Sequence, residues 1–289
     1  MKSKAELAAE QAAFWNGPGG QGWLATYHQR IERSIADLGQ DVLAAAAAQP
    51  GEHVIDVGCG MGGTTADLAR AVGPTGHVLG VDISEPLVDA ARSHRVDNAT
   101  FVVGDAVTYP FKAATYDLVF SRFGVMFFGD PVAAFKNLRH ALKPAGRLVF
   151  LCWRTPQENP WGLVPLRAAA PFLPPIPRPG PEDPGQYSFG DRARVERILK
   201  DAGFATPAIK PIDRPIWMGS TAAEVAENTG RFGPLARAFA DAGPAAVEKA
   251  KAAIAEVLAP HQGPNGVMLP GACWLVSAAL SDRGRPARS

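Results

Sequence analysis

The stretch 53–65, HVIDVGCGMGGTT, constrains the fold of this chain more than any other. It opens on a short apolar run, Val54-Ile55-Asp56-Val57, and breaks into Gly58, Gly60, Gly62 and Gly63. A segment of helical character follows through Asp67-Leu68-Ala69-Arg70. Strand, glycine turn and helix in that order leave backbone N–H groups unpaired at the helix start, which makes a site for a nucleotide-sized ligand. Glycine serves there because the chain must turn sharply and approach the ligand with no Cβ between them. Gly58, Gly60 and Gly63 also satisfy G-x-G-x-x-G, the dinucleotide fingerprint. Asp56 shifts that balance, because a carboxylate two residues before the first glycine is a poor neighbour for a pyrophosphate and suits a cationic ligand.

The rest of the chain repeats the same unit. Apolar runs at 77–82, 100–103, 116–121 and 147–153 alternate with amphipathic segments, and this alternation predicts a parallel, doubly wound α/β sheet covered on both faces. Ser84 reads as the N-cap of a helix running to about His94, and Asp130-Pro131 opens another through Leu142. Upstream, 5–14 and 23–38 read as helices, the second with Trp23, Tyr27, Ile31, Ile35 and Leu38 at helical spacing. Trp15, Trp23 and Tyr27 flank a glycine-rich break, and residues 1–49 are expected to form a helical lid over the ligand mouth. Residues 50–153 form the expected core. Ten prolines crowd 154–190, which predicts a surface-wrapping, substrate-side segment with one brief helix at 161–169. Residues 191–280 return to the core through a helix at 191–202 and strands at 205–217 and 266–278, with a helical excursion at 221–258; 281–289 read as a frayed tail.

With 289 residues there is room for such a core and a modest subdomain. A formal net charge of +1 argues against a duplex-binding surface, so no nucleic-acid partner is expected. No apolar run spans a bilayer, and the start, MKSKAELAAEQAAFW, lacks the apolar region of a signal peptide. Cys59, Cys152 and Cys273 are odd in number and far apart, so a reduced, cytoplasmic setting without disulfides or a metal site is expected.

Ligands of doubly wound sheets sit beyond the carboxyl ends of the strands, and those ends here carry Asp56, Asp82, Asp105 and Ser121. Asp82 can accept both hydroxyl protons of a ribose, with Ile83 placed to pack on a base. Asp105 can accept from an exocyclic amine, beside an N–H offered by Ala106.

VIDVGCGMGG, LGVDIS and FVVGDAVTYPF, followed by the region from YDLVFSRF to AGRLVF, resemble the ordered motifs of class I S-adenosylmethionine (SAM)-dependent methyltransferases. The group they resemble is the one related to ubiquinone and menaquinone C-methyltransferases. The resemblance covers about a third of the chain. It implies a seven-stranded, mostly parallel sheet whose last strand is antiparallel and inserted beside the fifth. It implies SAM as methyl donor, S-adenosylhomocysteine (SAH) as product and a small-molecule acceptor. By resemblance, Gly58 and Gly60, with Cys59 between them, line the methionine part of SAM, and Asp56 lies near its amino group. Asp82 then holds the ribose, Ile83 the adenine face, and Asp105 with Ala106 the adenine edge. Ser121 and Arg122 face the methionyl moiety and substrate, and Tyr27 covers the cofactor.

On the substrate side, Trp23, Phe127, Trp153, Arg154 and Trp161 are the expected residues, and His28 is the candidate general base. Many relatives carry a histidine pair after the fourth strand, where this chain reads Phe123-Gly124-Val125-Met126-Phe127-Phe128. An apolar, aromatic acceptor wall is one reading of that departure, and ordinary packing is the other. Two further functions stay open on the sequence: an NAD-dependent oxidoreductase, and a catalytically silent SAM-binding regulator. A homodimer is compatible with all three.

Overall fold

Residues 2–26, 30–176, 180, 182–230 and 234–281 are described by a computed structural model. Their strands are β1 (His53–Val57), β2 (His77–Asp82), β3 (Ala99–Val103), β4 (Tyr116–Arg122), β5 (Leu142–Trp153), β6 (Ala208–Gly219), β7 (Gln262–Gly263) and β8 (Gly266–Ala279). The helices are α1 (Lys4–Asn16), α2 (Pro18–Thr26), α3 (Glu32–Ala46), α4 (Gly63–Val72), α5 (Glu85–Ser93), α6 (Pro131–Ala141), α7 (Pro160–Ala169), α8 (Arg192–Asp201), α9 (Ala222–Thr229), α10 (Pro234–Ala240) and α11 (Pro244–Leu258).

The strands form one sheet in the order β3-β2-β1-β4-β5-β8-β6. β1 to β5 are mutually parallel, and β8 is antiparallel to both its neighbours. The expected inserted antiparallel strand is therefore β8. The expected seven strands become eight, because β7 is a two-residue addition that pairs only with the start of β8. A dinucleotide-binding sheet runs 3-2-1-4-5-6 without such an insertion, so the topology removes support for the oxidoreductase reading.

Local chemistry explains the boundaries that moved. The helix expected at 23–38 falls on α2 and α3, with 27–29 outside the described residues, and Pro18 opens α2 directly after Gly17 because proline suits a first helical turn. β5 begins at Leu142, five residues before Arg147, since Leu142 pairs with Tyr116 before the register jumps to Leu118 and Arg147. Lys143, Pro144, Ala145 and Gly146 form the resulting bulge. Ser84 occupies the N-cap position of α5 without capping it, because its hydroxyl donates to the Trp15 carbonyl at 2.7 Å. The Glu85 N–H is taken instead by Asn16 Oδ1, from the end of α1.

Two apolar cores result. The larger fills both faces of the sheet around Phe120, Phe135, Phe150 and Leu148. The smaller joins α7, α9, α10 and α11 to the first half of β8 through residues such as Val225, Leu235, Ile254, Leu258 and Leu269. Trp161 and Met218 touch both cores. The excursion between β6 and β8 is thus a lobe with its own interior, closed by α7 from the proline-rich segment. Among the described residues no helix is long and apolar enough to cross a membrane.

Candidate active site

The carboxyl ends of β1, β2 and β4 converge on the glycine turn. Gly58 has φ +69°, and a Cβ on it would fall 2.6 Å from the Gly124 Cα, so the chain exits of β1 and β4 touch backbone to backbone. The Gly58 and Cys59 N–H groups both donate to the Val81 carbonyl, at 2.8 and 3.2 Å. Gly60, at φ +52°, has open space on its side-chain face as far as the Trp23 indole, 3.8 Å from where a Cβ would sit.

Two carboxylates line this turn, Asp56 buried and Asp82 half-buried. Asp56 is 1% exposed, and its Oδ2 accepts the hydroxyls of Thr64 (2.8 Å) and Thr65 (2.6 Å) at the start of α4. Its Oδ1 is also buried and has no partner among the described residues. Burial pushes the Asp56 carboxyl up to about 6 against the pull of the two threonines and of Arg122, and the neighbouring Asp82 charge adds to the rise. Asp82 accepts from the Gly60 N–H on one oxygen (2.8 Å) and the Ser84 N–H on the other (2.9 Å). Its pKa is likewise raised by burial, opposed by those backbone donors. Asp82 therefore pins the turn, and each oxygen keeps a lone pair for a further donor.

The other sequence-predicted residues divide. Cys59 is packed with Val88, Ala91 and Phe101, and burial pushes its thiol well up, so it is a filler behind the turn. Ile83 offers its carbonyl to Asn16 Nδ2 at 3.0 Å. Asp105 folds back onto the Val107 N–H, and Ala106 is buried beside it with its carbonyl held by Asn137. Ser121 is fully buried. Its hydroxyl donates to the Val57 carbonyl (2.7 Å) and accepts from the Gly124 N–H (3.1 Å), which gives it the job of holding the β1 and β4 exits together rather than facing a ligand. Arg122 forms a two-pronged pair with Glu32 of α3, both bonds 2.9 Å, and its charge lowers the Asp56 pKa. Tyr27 and His28 lie outside the described residues.

Trp23 and Phe127 come together through Trp15, whose ring meets them edge-on at 5.9 and 5.1 Å. With Met61 and Leu87, the two tryptophans cover the glycine turn from above. Trp153 stacks flat on Phe123 (4.5 Å, 10°) and meets Trp161 at 4.7 Å. Arg154 points elsewhere. It pairs with Glu158 and with Asp213 (2.9 Å) and lies over the Trp274 ring, so it belongs to the sheet's outer edge. His53 and His77 open their strands and His94 and His140 end their helices, all at the edge away from the glycine turn. Among the described residues no group of three His, Cys, Asp or Glu could hold a metal ion.

Sequence reasoning missed Thr64, Thr65, Asn16 and Glu32. The pair of hydroxyls directly after Gly62-Gly63 was a readable signal for Asp56's donors. Asn16 carried none, since its partners are 67 and 69 residues away.

Residues 54–146 match a family model described as a methyltransferase domain. An uncharacterised 37.1 kDa protein in a transposon of Streptomyces fradiae is 32% identical over 184 residues, 59% of this chain and 48% of that protein. A demethylmenaquinone methyltransferase of Staphylococcus aureus is 36% identical over 120 residues, covering 41% of this chain and 49% of that protein. The chain thus spans about half the length of the curated relatives it matches. Among solved structures, a phosphoethanolamine N-methyltransferase of Haemonchus contortus, in complex with phosphomonomethylethanolamine and SAH, shares the fold with a TM-score of 0.51 and 18% identity. That likeness covers 85% of this chain and 53% of the other. Motif order, strand order and matched residues agree: over 54–146 the chain is a methyltransferase domain.

Proposed function

We propose that this protein moves a methyl group from SAM to a small-molecule acceptor that is partly apolar or aromatic, by in-line displacement, leaving SAH. The observation that carries the proposal is the unpartnered Asp56 Oδ1, buried against a glycine turn beside a second, half-buried carboxylate. A buried carboxylate oxygen without a donor is costly, and a cationic ligand removes that cost. The residues fit SAM on this ground, and on the ground that Gly60 leaves room where any side chain would intrude.

Bound there, SAM supplies a methyl group already activated by its positively charged sulfur. The chain's own task is placement and exclusion of water. Asp56 holds the ammonium and Asp82 the ribose hydroxyls, with Asp105 and Ala106 at the base. Arg122, held by Glu32, stands near enough to Asp56 to favour its ionised form. α1 and α2 act as the lid: the Trp15 carbonyl is bonded to Ser84, and Asn16 bridges the Ile83 carbonyl and the Glu85 N–H. Lys4 adds an ion pair to Asp130. Cofactor entry requires these bonds to open, because α1 buries no side chain of its own and rests on them. A formal charge of +1 supports a small molecule over nucleic acid, and three free, buried cysteines support a cytoplasmic setting.

Calorimetric titration with SAH, and with NADH in a parallel cell, tests the reading. Micromolar binding of SAH alone is expected. Binding of NADH, or of neither compound, overturns it, and SAH binding without methyl release to any acceptor leaves the regulator reading in its place.

A further inference from the structure

Asp56 and Arg122 lie on one face of the sheet. β1 and β4 are parallel with Asp56 opposite Phe120, so Arg122, two residues further along β4, points to the same side as Asp56. Strand spacing and rise put the two residues about 8 Å apart, a span that an arginine side chain crosses. Asp56 has a buried oxygen with no partner among the described residues, and Arg122 is a cation with 9% of its side chain exposed. Opposite charges so placed in an interior are expected to pair directly. Here they stay apart. Asp56 accepts the Thr64 and Thr65 hydroxyls, whereas Arg122 commits both terminal nitrogens to Glu32, Nη1 to Oε1 and Nη2 to Oε2, each at 2.9 Å.

Two features of α3 hold the guanidinium off. Glu32 takes it in a two-pronged geometry that fixes direction as well as charge. Gly39 leaves it a slot: the three atoms nearest to a Cβ there all belong to Arg122, the first being Nη1 at 2.8 Å. α3 is itself fixed. Leu38 and Val42 are buried in the larger core, the Ser34 hydroxyl donates to the Trp217 carbonyl at 2.6 Å, and Arg147 Nε donates to the Ala46 carbonyl at 3.0 Å. The seat therefore does not follow Arg122 if the guanidinium turns. The remaining surroundings of Asp56 add no second cation: Asp82 faces it from β2, the Cys59 thiol stays neutral because burial pushes its pKa well up, and α4 offers hydroxyls.

We infer that Glu32 is a positioning residue that keeps the cofactor's ammonium site open: by seating Arg122 it leaves Asp56 close to a positive charge yet unbound, with the orphan oxygen reserved for the cation of the methyl donor. Without that seat the chain's own guanidinium closes on Asp56 and competes with the ligand. The inference rests on the reading of the glycine turn as the methyl-donor site.

Calorimetric titration of the full chain with SAH, and with 5′-methylthioadenosine, which lacks the amino-acid end, tests it between about pH 5 and pH 8. At pH 8, Glu32→Gln should bind SAH about tenfold more weakly than the parent and 5′-methylthioadenosine equally well. The fall in SAH affinity on acidification, near pH 6 in the parent, should move down by about one pH unit, because tenfold self-competition and one pKa unit measure the same pair. Loss of the Glu32 charge alone predicts no weakening at pH 8, where Asp56 is already ionised. Adding Arg122→Met to Glu32→Gln should recover most of the lost affinity, since the competitor is gone. Gly39→Ala fills the slot without touching a charge, and should weaken SAH about threefold with the same recovery by Arg122→Met; it decides the matter if Glu32→Gln does not fold. Undiminished SAH affinity in these variants, an equal loss for 5′-methylthioadenosine, or a loss that Arg122→Met does not recover overturns the inference and leaves the donor reading standing. A parent that binds neither compound overturns both.

Discussion

Asp56 in the parallel half of the sheet and Asn159 beside the antiparallel strand β8 are both buried, and they treat burial in opposite ways. At the ends of β1 and β2, carboxylates are withdrawn from water with capacity left over: the buried Asp56 keeps an oxygen unpartnered, and the half-buried Asp82 accepts backbone donors such as the Gly60 and Ser84 N–H groups. Between β8 and α7, Asn159 is buried and saturated. Asn159 Nδ2 donates to the Arg154, Thr155 and Ala272 carbonyls, and its Oδ1 accepts from Ala272 N–H and Trp161 Nε1. Unsatisfied burial costs stability and is kept where a ligand completes it, whereas saturated burial fixes a shape. One half is built to bind, the other to hold a wall in place.

Asn159→Ala breaks the shape-holding half and has the largest expected effect. It strands the Ala272 backbone groups and the Trp161 indole, so unfolding should become easier by about 3–5 kcal/mol, read by urea denaturation. SAH affinity of the protein that remains folded should not change. A matching loss of affinity would join the two halves energetically and end the contrast.

Gly60→Val attacks the binding half. SAH affinity should fall about a hundredfold by calorimetry, with a much smaller loss of stability from the left-handed backbone. Retained affinity in the folded variant would mean the turn holds something else.

Asp56→Asn sharpens the comparison because stability and binding should move in opposite directions. The folded carboxyl sits near 6 against an ordinary 3.8, so the folded state holds this proton more tightly than the unfolded chain. Stability from this group is full below about pH 4, falls as pH rises towards about 6, and stays low above it. The amide removes that loss, a gain of up to about 3 kcal/mol at pH 7 and almost none at pH 4. SAH binding, which uses the ionised form, should be strong above pH 6, fall below it in the parent, and be lost in the variant. Thermal melts at the two pH values decide the first part, and an Asn variant less stable at pH 7 would refute it.

Asn16→Ala gives the smallest effect. Without the bridge to Ile83 and Glu85, SAH should associate a fewfold faster in stopped-flow tryptophan fluorescence, with stability lowered by about 1 kcal/mol. An unchanged association rate would show that α1 does not gate the site.

Much of the binding half was legible because its determinants are local. The glycine turn and the strand-end aspartates each follow from residues a few positions apart, whereas the inserted antiparallel strand was implied by the family resemblance. What escaped was non-local. Ser121 looked like a ligand contact because strand ends face ligands, yet its hydroxyl is captured by Val57, 64 residues away. Arg154 looked like a substrate-side residue, yet its partner Asp213 comes from a strand that pairs two places further along the sheet. The second core was least legible. Its helices are alanine-rich with weak patterns, and one wall, α7, comes from a proline-dense stretch whose apolar residues show no partner in the sequence.

That two-part origin of the lobe limits how the scaffold can be re-tailored. β6 and β8 are adjacent antiparallel strands, so everything between Gly219 and Gly266 hangs from the tip of a hairpin, and its length can change without shifting the glycine turn. The hairpin alone is not an exchangeable cassette, because its inner face is moulded to α7, which arrives from the other side of β5. A chimaera that borrows the tip from a relative must borrow 160–169 with it, and one that borrows both exchanges Trp161 along with the lobe.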